Sequence, residues 1–356
     1  MPTLLGQRFT RNELLRRVGD LSQIAGIRMM TLAEGPEAGV RIADVRTGSG
    51  LRFQVTLDRG MDISVAEHRG LPLAWRSAGG DVHPTYFDPR GLGWLRTFPG
   101  GLLTGCGMTF AGAPCTDNGA ELGLHGRLSH LTATHVSAAH EWVGDECIFT
   151  LRGSVRESAM FGENMLLERA VETRLGQSLI TLRDTVTNEG GDRTPLMMLY
   201  HSNPGWPLVA AGARLLMNAK RTAPRDEEAQ KGMGSERTFT DPVAGFREQV
   251  FYHDLIADQD GRTTALLHNP SLPLALFVRF RQRELPRFVE WKMTGEGTYV
   301  LGMEPANCGV AGRAAERRSG TLEFLAPGEQ RGFELQIGVL EEEPVIAAFI
   351  ETNNLT

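Results

Sequence analysis

The sequence predicts an all-β sandwich built from large antiparallel sheets. Glycine (42) and proline (18) are abundant among the 356 residues, which favours many turns. From about residue 38 onward, apolar residues alternate with polar ones or form short runs, and turn residues separate these segments at intervals of roughly ten residues. The best helical pattern is confined to residues 10–26. This pattern of short apolar segments and turns is typical of antiparallel hairpins.

The segment 10–26 is predicted to be a helix. Thr10 is a suitable N-cap, and Glu13 follows three residues later, as in a capping box. Apolar residues then recur along one stripe: Leu14, Leu15, Val18 and Leu21. Gly26 would end the helix. Residues 1–35 are therefore interpreted as a peripheral helical extension.

The β-rich body begins after this extension. Its predicted strands are 40–45, 51–57, 71–75, 147–152, 179–186, 264–267, 274–280 and 333–340. Residues 79–123 are rich in glycine, proline and aromatic residues and are predicted to be ordered loops over one sheet face. Residues 220–248 are interpreted as a polar excursion, a polar segment that interrupts the pattern of strands. No change in composition marks a boundary, so residues 1–356 are predicted to form a single domain.

Charge and composition limit the classes of partner and compartment. The net charge is −6 and no five like charges are consecutive, which argues against nucleic acid or a membrane surface as a partner. The N-terminus lacks a signal-peptide layout, and no apolar stretch reaches the roughly 18 residues of a membrane span. A cytoplasmic protein that binds a small molecule is expected.

The cysteines predict neither a disulfide framework nor a zinc site. They lack CxxC spacing and any pairing typical of zinc ligands, so reduced and mostly buried thiols are expected. The four are Cys106, Cys115, Cys147 and Cys308.

Glu304 is the candidate catalytic carboxylate. It ends the apolar run 300–303 and immediately precedes Pro305, where a strand would give way to a loop. Catalytic groups commonly occupy such positions, because the scaffold is rigid and the side chain can face a cleft. A solvent-facing glutamate at a strand end is the alternative, and the catalytic interpretation needs histidines far upstream.

Three of the nine histidines stand out from the rest. His125 is flanked by glycines that let the backbone approach a ligand, and Arg127 places a guanidinium nearby. His201 ends an apolar strand, and His253 follows another apolar run. Each could be structural, but a histidine and a glutamate at strand ends could supply an acid and a base that titrate near neutral pH.

A metal site formed by these histidines and Glu304 is conceivable, but no HxH or HExxH spacing supports it. No metal and no other cofactor is therefore predicted. The sequence also lacks a P-loop, a dinucleotide-binding GxGxxG and a GxSxG elbow, which argues against nucleotide-binding and serine-hydrolase functions.

Two arginines and several tryptophans are candidate binding groups. Arg96 interrupts an apolar, glycine-rich loop, and Arg59 lies between Asp58 and Asp62. A guanidinium in such a setting can donate to hydroxyl or carboxylate oxygens, although Arg59 could equally form a structural ion pair. Tryptophan rings could form platforms for a sugar, with burial in the core as the alternative: Trp75, Trp94, Trp206 and Trp291.

In this order, the motifs resemble the aldose 1-epimerase (galactose mutarotase-like) superfamily. They are the arginine-containing glycine-rich loop, the His-Gly at 125–126, the strand-ending histidine at 201, the Leu-Gly-Met-Glu at 301–304 and the Leu-Ala-Pro-Gly-Glu at 325–329. The stretches 14–20, 58–63 and 291–297 resemble a branch of it without an assigned function. The resemblance covers essentially the whole chain.

The resemblance implies a β-supersandwich with a sugar cleft across one concave sheet. It implies that His201 is the general acid and Glu304 the general base, and that their proximity favours both charged states. His253 falls where an aspartate usually holds sugar hydroxyls, whereas Arg127 replaces a second glycine and Lys292 adds a charge beside Trp291. These differences are compatible with an acidic or otherwise modified sugar as the substrate. The implied substrate-binding residues are Arg59, Arg96, His125, Arg127, Asn203, His253, Trp291 and Lys292.

The function implied by the resemblance is that of an aldose 1-epimerase, an isomerase of carbohydrate metabolism that interconverts the α and β anomers of a monosaccharide without a cofactor. A homodimer is compatible with the sequence. Two alternatives remain open. One is a sugar-binding sensor without catalysis, and the other is an isomerase or epimerase of keto sugars on the same fold.

Overall fold

The computed structural model describes residues 1–356 and is dominated by antiparallel strands. In chain order the strands are β1 (Thr3–Leu4), β2 (Gln7–Arg8), β3 (Gly26–Thr31), β4 (Arg41–Arg46), β5 (Leu51–Thr56), β6 (Asp62–His68), β7 (Leu71–Pro72), β8 (Leu103–Cys106), β9 (Cys115–Asp117), β10 (Ala120–Leu122), β11 (Thr134–Val143), β12 (Glu146–Ser158), β13 (Asn164–Arg174), β14 (Leu179–Asn188), β15 (Thr194–Leu196), β16 (Leu199–Ser202), β17 (Arg214–Met217), β18 (Ala219–Pro224), β19 (Gln249–Leu255), β20 (Arg262–His268), β21 (Leu274–Arg281), β22 (Arg287–Gly295), β23 (Thr298–Ala306), β24 (Glu323–Leu325) and β25 (Gln330–Glu341).

Helices are few and short. The α-helices are α1 (Arg11–Leu15), α2 (Glu227–Lys231), α3 (Arg313–Ser319) and α4 (Glu343–Thr352). Short 3₁₀ helices span Leu21–Gln23, Gly35–Glu37, Pro84–Tyr86, Gly93–Thr97 and Leu128–His130. No helix combines the length and the apolar character that crossing a bilayer would require.

Two large sheets form the body of the protein. The 11-stranded sheet runs in the order β18-β19-β22-β23-β16-β8-β6-β5-β4-β3, with β7 paired to β6. The 8-stranded sheet runs in the order β11-β12-β13-β14-β25-β21-β20-β17. A cluster of 50 buried hydrophobic residues draws on both sheets, so their facing sides share one core. The all-β sandwich predicted from the sequence is confirmed.

The alternation in the sequence explains how the strands are buried. In β12, alternate residues such as Phe149, Leu151 and Val155 are buried, whereas the residues between them are more exposed. In β23, every residue after Thr298 is buried. A second cluster, which includes Trp94 and Phe98 of the 79–123 segment, lies beside β8, β16 and the end of β23. Part of the 79–123 segment therefore covers the outer face of the 11-stranded sheet. The segment is not all loop, however, since it also contributes β8 to that sheet and forms the hairpin of β9 and β10.

The N-terminal prediction was only partly right. The capping box is present: Glu13 N donates to Thr10 Oγ1 (3.2 Å) and Thr10 N donates to Glu13 Oε2 (2.8 Å). The helix nevertheless ends at Leu15, and Asp20 caps a separate 3₁₀ turn by accepting from Ser22 N (2.8 Å). The end of the predicted extension, residues 1–35, is not helical either. It contains β3 (Gly26–Thr31), which is the edge strand of the 11-stranded sheet.

The segment 220–248 contains more structure than a polar excursion. It begins within β18, which pairs with β19, and it includes α2, whose N-cap Asp226 accepts a hydrogen bond from Ala229 N. The hairpin formed by β18 and β19 therefore brings the two ends of this segment together at one edge of the 11-stranded sheet.

Candidate functional site

A cavity of about 410 Å³ opens on the outer face of the 11-stranded sheet, within the range typical of small-molecule sites. Its floor comes from β16, β19, β22 and β23, and its walls come from the loops that cover the sheet. Ten of its 16 lining residues are hydrophobic. The polar residues among them are His125, His201, Arg225, Glu248 and Glu304.

Neighbouring strands place His201 and Glu304 side by side. His201 is on β16 and Glu304 is on β23, and the two strands pair antiparallel through Ser202 and Met303. His201 Nε2 lies 3.2 Å from Glu304 Oε1, and both side chains are almost completely buried. Glu304 Oε1 is buried and has no hydrogen-bond partner.

Burial shifts both groups toward their neutral forms. The pKa of His201 is lowered to about 3, chiefly by burial and also by nearby His125, while the Asn203 side chain acts in the opposite direction. Burial also raises the pKa of Glu304 well above its ordinary value; Glu248 adds to this effect and Arg225 opposes it. The expectation that proximity would favour both charged states does not hold, because desolvation is the largest influence on each group.

His125 stands beside this pair in an unusual backbone conformation. Its φ is 55°, a region that residues other than glycine seldom adopt. Its ring centroid lies 5.8 Å from that of His201 and 4.8 Å from that of Trp94. Its Nδ1 has no hydrogen-bond partner, and burial lowers the pKa of the ring to about 4. His125 therefore presents a neutral imidazole to the cavity.

Trp291 also reaches the cavity, as the sequence analysis anticipated. Its ring centroid lies 5.4 Å from that of His201. Its Nε1 donates to Glu248 Oε2 (2.9 Å), which fixes the indole as part of the cavity wall. The structure thus brings His125, His201, Trp291 and Glu304 together, although these residues are far apart in the sequence.

The predicted arginines lie elsewhere. Arg96 is exposed and is not among the cavity residues. Arg59 is buried outside the cavity, where it donates to Val82 O (2.6 Å) and Thr97 O (2.7 Å). The expected convergence of Arg96 on the cleft is wrong because its loop turns the side chain to solvent, and Arg59 is held by backbone carbonyls.

Arg127 is likewise outside the cavity. Its guanidinium lies 3.2 Å from Glu157 Oε1 and packs over the ring of Phe110. Lys292 points away because neighbouring residues of a strand alternate between faces, so Trp291 and Lys292 lie on opposite sides of β22. Its ammonium donates to Ser235 O (2.7 Å) and Thr238 O (2.8 Å).

His253 and Asn203 have buried partners of their own. His253 Nδ1 lies 2.9 Å from Thr222 Oγ1, and its Nε2 lies 2.9 Å from Glu290 Oε2, so the predicted convergence of His253 on the cleft is also wrong. Asn203 Nδ2 donates to the carbonyls of His201 (2.8 Å) and Gly101 (3.0 Å). Asn203 therefore supports the strand end that carries His201 without lining the cavity itself.

Two polar residues of the cavity, Arg225 and Glu248, were not predicted from the sequence. Arg225 immediately follows β18, and Glu248 immediately precedes β19. The two side chains are joined by a hydrogen bond from Arg225 Nη2 to Glu248 Oε1 (3.0 Å). The available signal was their position at the two ends of the 220–248 segment, which a hairpin between the flanking strands would bring together.

No group of three or more histidine, cysteine, aspartate and glutamate side chains is arranged to hold a metal ion. All four cysteines are free thiols, and three of them, Cys106, Cys147 and Cys308, are buried.

The fold and the site define a galactose mutarotase-like protein, and solved structures bear out this class. A Klebsiella pneumoniae protein provisionally described as an aldose 1-epimerase matches with a TM-score of 0.88 and 27% sequence identity, over 92% of this chain and 86% of the other. A galactose mutarotase-like protein from Clostridium acetobutylicum matches with a TM-score of 0.62 and 12% identity, over 90% of this chain and 99% of the other. A galactose 1-epimerase from Lactobacillus acidophilus matches with a TM-score of 0.60 and 12% identity, over 90% and 100%.

The family model is more specific than the fold. The chain belongs to the family described as "Domain of unknown function (DUF4432)", whose model matches residues 37–339. None of the curated proteins matches this chain. The protein is thus a member of the aldose 1-epimerase (galactose mutarotase-like) superfamily in a branch without an assigned function, as the sequence motifs indicated.

Proposed function

We propose that this protein is an aldose 1-epimerase that interconverts the α and β anomers of a monosaccharide. The observation that carries the proposal is the buried pair of His201 and Glu304, with 3.2 Å between Nε2 and Oε1, at the floor of a cavity. Acid–base catalysis needs two such groups within reach of one ligand. Trp291 supplies an aromatic surface beside them, of the kind that packs against a sugar ring.

The reaction requires only the movement of protons. Glu304 takes the proton of the anomeric hydroxyl while the bond between C1 and the ring oxygen breaks, and His201 gives a proton to the ring oxygen. The product is the open-chain aldehyde. Rotation about the C1–C2 bond and closure with the proton transfers reversed give the other anomer and restore both side chains.

The shifted pKa values of His201 and Glu304 are compatible with this cycle. A protonated Glu304 with a neutral His201 holds one proton, and an ionised Glu304 with a protonated His201 also holds one. The two forms therefore differ only in which of the two neighbouring side chains carries the proton. Arg225 assists, because its positive charge lowers the pKa of Glu304.

The test is anomer exchange measured by saturation-transfer NMR or polarimetry on a panel of aldoses and uronates. We expect the wild type to accelerate exchange and Glu304→Gln to slow it by about 10²- to 10⁴-fold, because the amide cannot accept the proton. Glu296→Gln is the matched control, since Glu296 is exposed and lies outside the cavity.

Two outcomes would contradict the proposal in different ways. A wild type that binds a sugar without accelerating its anomer exchange would indicate a sugar sensor. A Glu304→Gln variant as active as the wild type would show that the base is another residue.

A further inference from the structure

The cavity offers few polar groups to the part of a sugar that does not react. If the proposed function holds, His201 and Glu304 are occupied by the anomeric hydroxyl and the ring oxygen. The polar side-chain groups left are those of His125, Arg225 and Glu248, together with the indole Nε1 of Trp94, which has no hydrogen-bond partner. An aldohexose has four further hydroxyls, and each one that is buried needs a partner or loses its bonds to water.

Arg225 and Glu248 form one ordered polar edge of the cavity. Arg225 Nε donates to Asp226 Oδ2 (2.8 Å) and Nη2 donates to Glu248 Oε1 (3.0 Å), while Nη1 makes no hydrogen bond. Glu248 Oε2 accepts from Trp291 Nε1 (2.9 Å). The edge therefore presents one free guanidinium nitrogen and the spare lone pairs of a carboxylate, a donor and an acceptor suited to sugar hydroxyls.

The charges of this edge do not favour an acidic sugar. The positive charge of Arg225 is paired with the carboxylates of Asp226 and Glu248. Arg127 and Lys292, which suggested an anionic substrate in the sequence, both bond to groups outside the cavity. A carboxylate on the sugar would gain little net attraction here and would meet Glu248.

The cavity residues between positions 92 and 125, together with Val310, form a largely apolar wall. Its side chains include Leu92, Leu95, Leu124 and Val310, and its polar side-chain groups are the ring of His125 and the indole Nε1 of Trp94, which has no hydrogen-bond partner. Leu92 and Leu95 are exposed, whereas Leu124 and Val310 are partly buried. A hydroxyl against Leu124 and Val310 would lose water and find no partner on these side chains, whereas a methyl group there would be removed from water favourably.

We propose that the cavity selects a neutral aldose in which an apolar substituent replaces a hydroxyl, a 6-deoxyhexose being the simplest case. The apolar wall takes the methyl group, and Arg225 with Glu248 binds remaining hydroxyls. This inference rests on the proposed function, because it takes the pair of His201 and Glu304 as the reacting end.

The test compares sugars that differ only at C6. Anomer exchange is measured by saturation-transfer NMR for L-fucose and L-galactose, L-rhamnose and L-mannose, D-fucose and D-galactose, and D-quinovose and D-glucose. We expect the 6-deoxy member of at least one pair to have a kcat/KM about tenfold or more above that of its hydroxylated partner. Hydroxylated partners that react equally well or faster in every pair would overturn the substrate class while leaving the epimerase function intact. No acceleration for any sugar would overturn both.

Two variants locate the source of the preference. Val310→Thr keeps the side-chain shape but adds a hydroxyl to the wall, and we expect it to reduce the ratio of kcat/KM within the preferred pair by severalfold. Val345→Thr is the matched control, because Val345 is exposed on α4, outside the cavity. An unchanged ratio in Val310→Thr would contradict the role of the wall.

Arg225→Met removes the donor of the polar edge and keeps a long side chain. We expect KM to rise about tenfold or more for both members of a pair, because the lost hydrogen bond is to a hydroxyl they share. Arg318→Met controls for the loss of an exposed arginine elsewhere. An unchanged KM would show that Arg225 does not bind the sugar.

Discussion

At the level of single residues, the lowered pKa values of the buried histidines can be measured directly. Burial lowers the pKa of His130 to about 2 and that of His201 to about 3. His130 stacks on Phe87 with 3.8 Å between ring centroids, and its Nε2 lies 2.7 Å from Thr97 Oγ1. We expect the ring signals of both histidines to remain those of neutral imidazole down to pH 5 in a ¹⁵N NMR titration. A ring that titrates near pH 6.5 would contradict the burial described for it.

The same shift makes stability depend on pH. Above pH 6.5, His130 is neutral in the folded and unfolded chains and contributes no pH dependence. Below pH 6.5 the unfolded chain binds a proton that the folded chain refuses, so stability falls as the pH decreases toward about 2. Buried carboxylates such as Asp62, whose pKa is raised to about 6, act in the opposite direction between pH 4 and 6.

A variant separates these opposing contributions. We expect the free energy of unfolding of the wild type to fall relative to that of His130→Gln between pH 6.5 and 4, by at most about 1.4 kcal/mol per pH unit. Denaturant titrations at several pH values provide the measurement. Parallel curves for the two proteins would show that His130 does not carry the dependence.

Whether the role of a site residue could be predicted from the sequence depended on the type of residue. His125 lies between Gly123 and Gly126 and His201 lies near the end of β16, and local sequence shows such positions. Glu304 lies within β23, which continues to Ala306, so the predicted change from strand to loop at Glu304 is wrong. Arg59 and Arg96 stood in equally suggestive surroundings, but a guanidinium is satisfied as well by backbone carbonyls or by water as by a ligand. Local sequence does not distinguish these outcomes, since they depend on which face of the chain is covered.

At the level of elements, Gly302 gives the catalytic pair its space on β23. A Cβ at this position would lie 2.5 Å from Glu304 Oε1 and 3.2 Å from the ring of His201. It would also lie 2.8 Å from Trp291 Cβ, on the adjacent strand. A methyl group here must therefore displace at least one side chain of the site.

Gly302→Ala should disturb catalysis more than folding. We expect kcat to fall by about 10²-fold, because displacing a catalytic group by about 1 Å has effects of this size. Circular dichroism should remain that of a β protein. Gly191→Ala is the control, since a Cβ on Gly191 would meet nothing within 4 Å. Full activity in Gly302→Ala would show that the pair tolerates the shift or is not catalytic.

Strands were easier to predict than helices. The predicted segments 147–152, 179–186 and 274–280 all fall within observed strands, because alternation and turns identify half-buried antiparallel strands directly. The longest helix, α4, was missed. Its apolar run 345–350 has no clear helical period, and a short apolar run fits a buried strand or a buried helix equally well.

At the level of the whole molecule, Arg169 joins the two sheets. It is fully buried on β13 and forms an ion pair with Asp184 on β14, with 2.6 Å between Nη2 and Oδ2. Its Nη1 donates to Gly60 O (2.9 Å), in the turn between β5 and β6 of the other sheet. Tyr200 on β16 completes the link by donating to Asp184 Oδ2 (2.7 Å).

This network gives a structural role to a motif in which only Arg59 had been interpreted, as a binding group. The stretch 58–63 marks the resemblance to the unassigned branch, and its residues are held by structural contacts. Asp58 pairs with Arg41 (2.6 Å), and Asp62 Oδ1 accepts from Gly105 N (2.8 Å). The carbonyl of Gly60 meets Arg169. The motif therefore fixes how the two sheets meet beneath the site.

Removing Arg169 should weaken the whole sandwich. In Arg169→Met, Asp184 would remain buried without its cation, so we expect the free energy of unfolding to fall by about 3–5 kcal/mol. Equilibrium denaturation measures this loss, and Arg318→Met should lie within about 0.5 kcal/mol of the wild type. The double variant Arg169→Met/Asp184→Leu should recover part of the loss, because it removes the stranded charge as well. A single variant as stable as the wild type would contradict the role of Arg169. If the double variant is no more stable than the single one, the loss of stability comes from the contacts with Gly60 and from packing, and not from the uncompensated carboxylate.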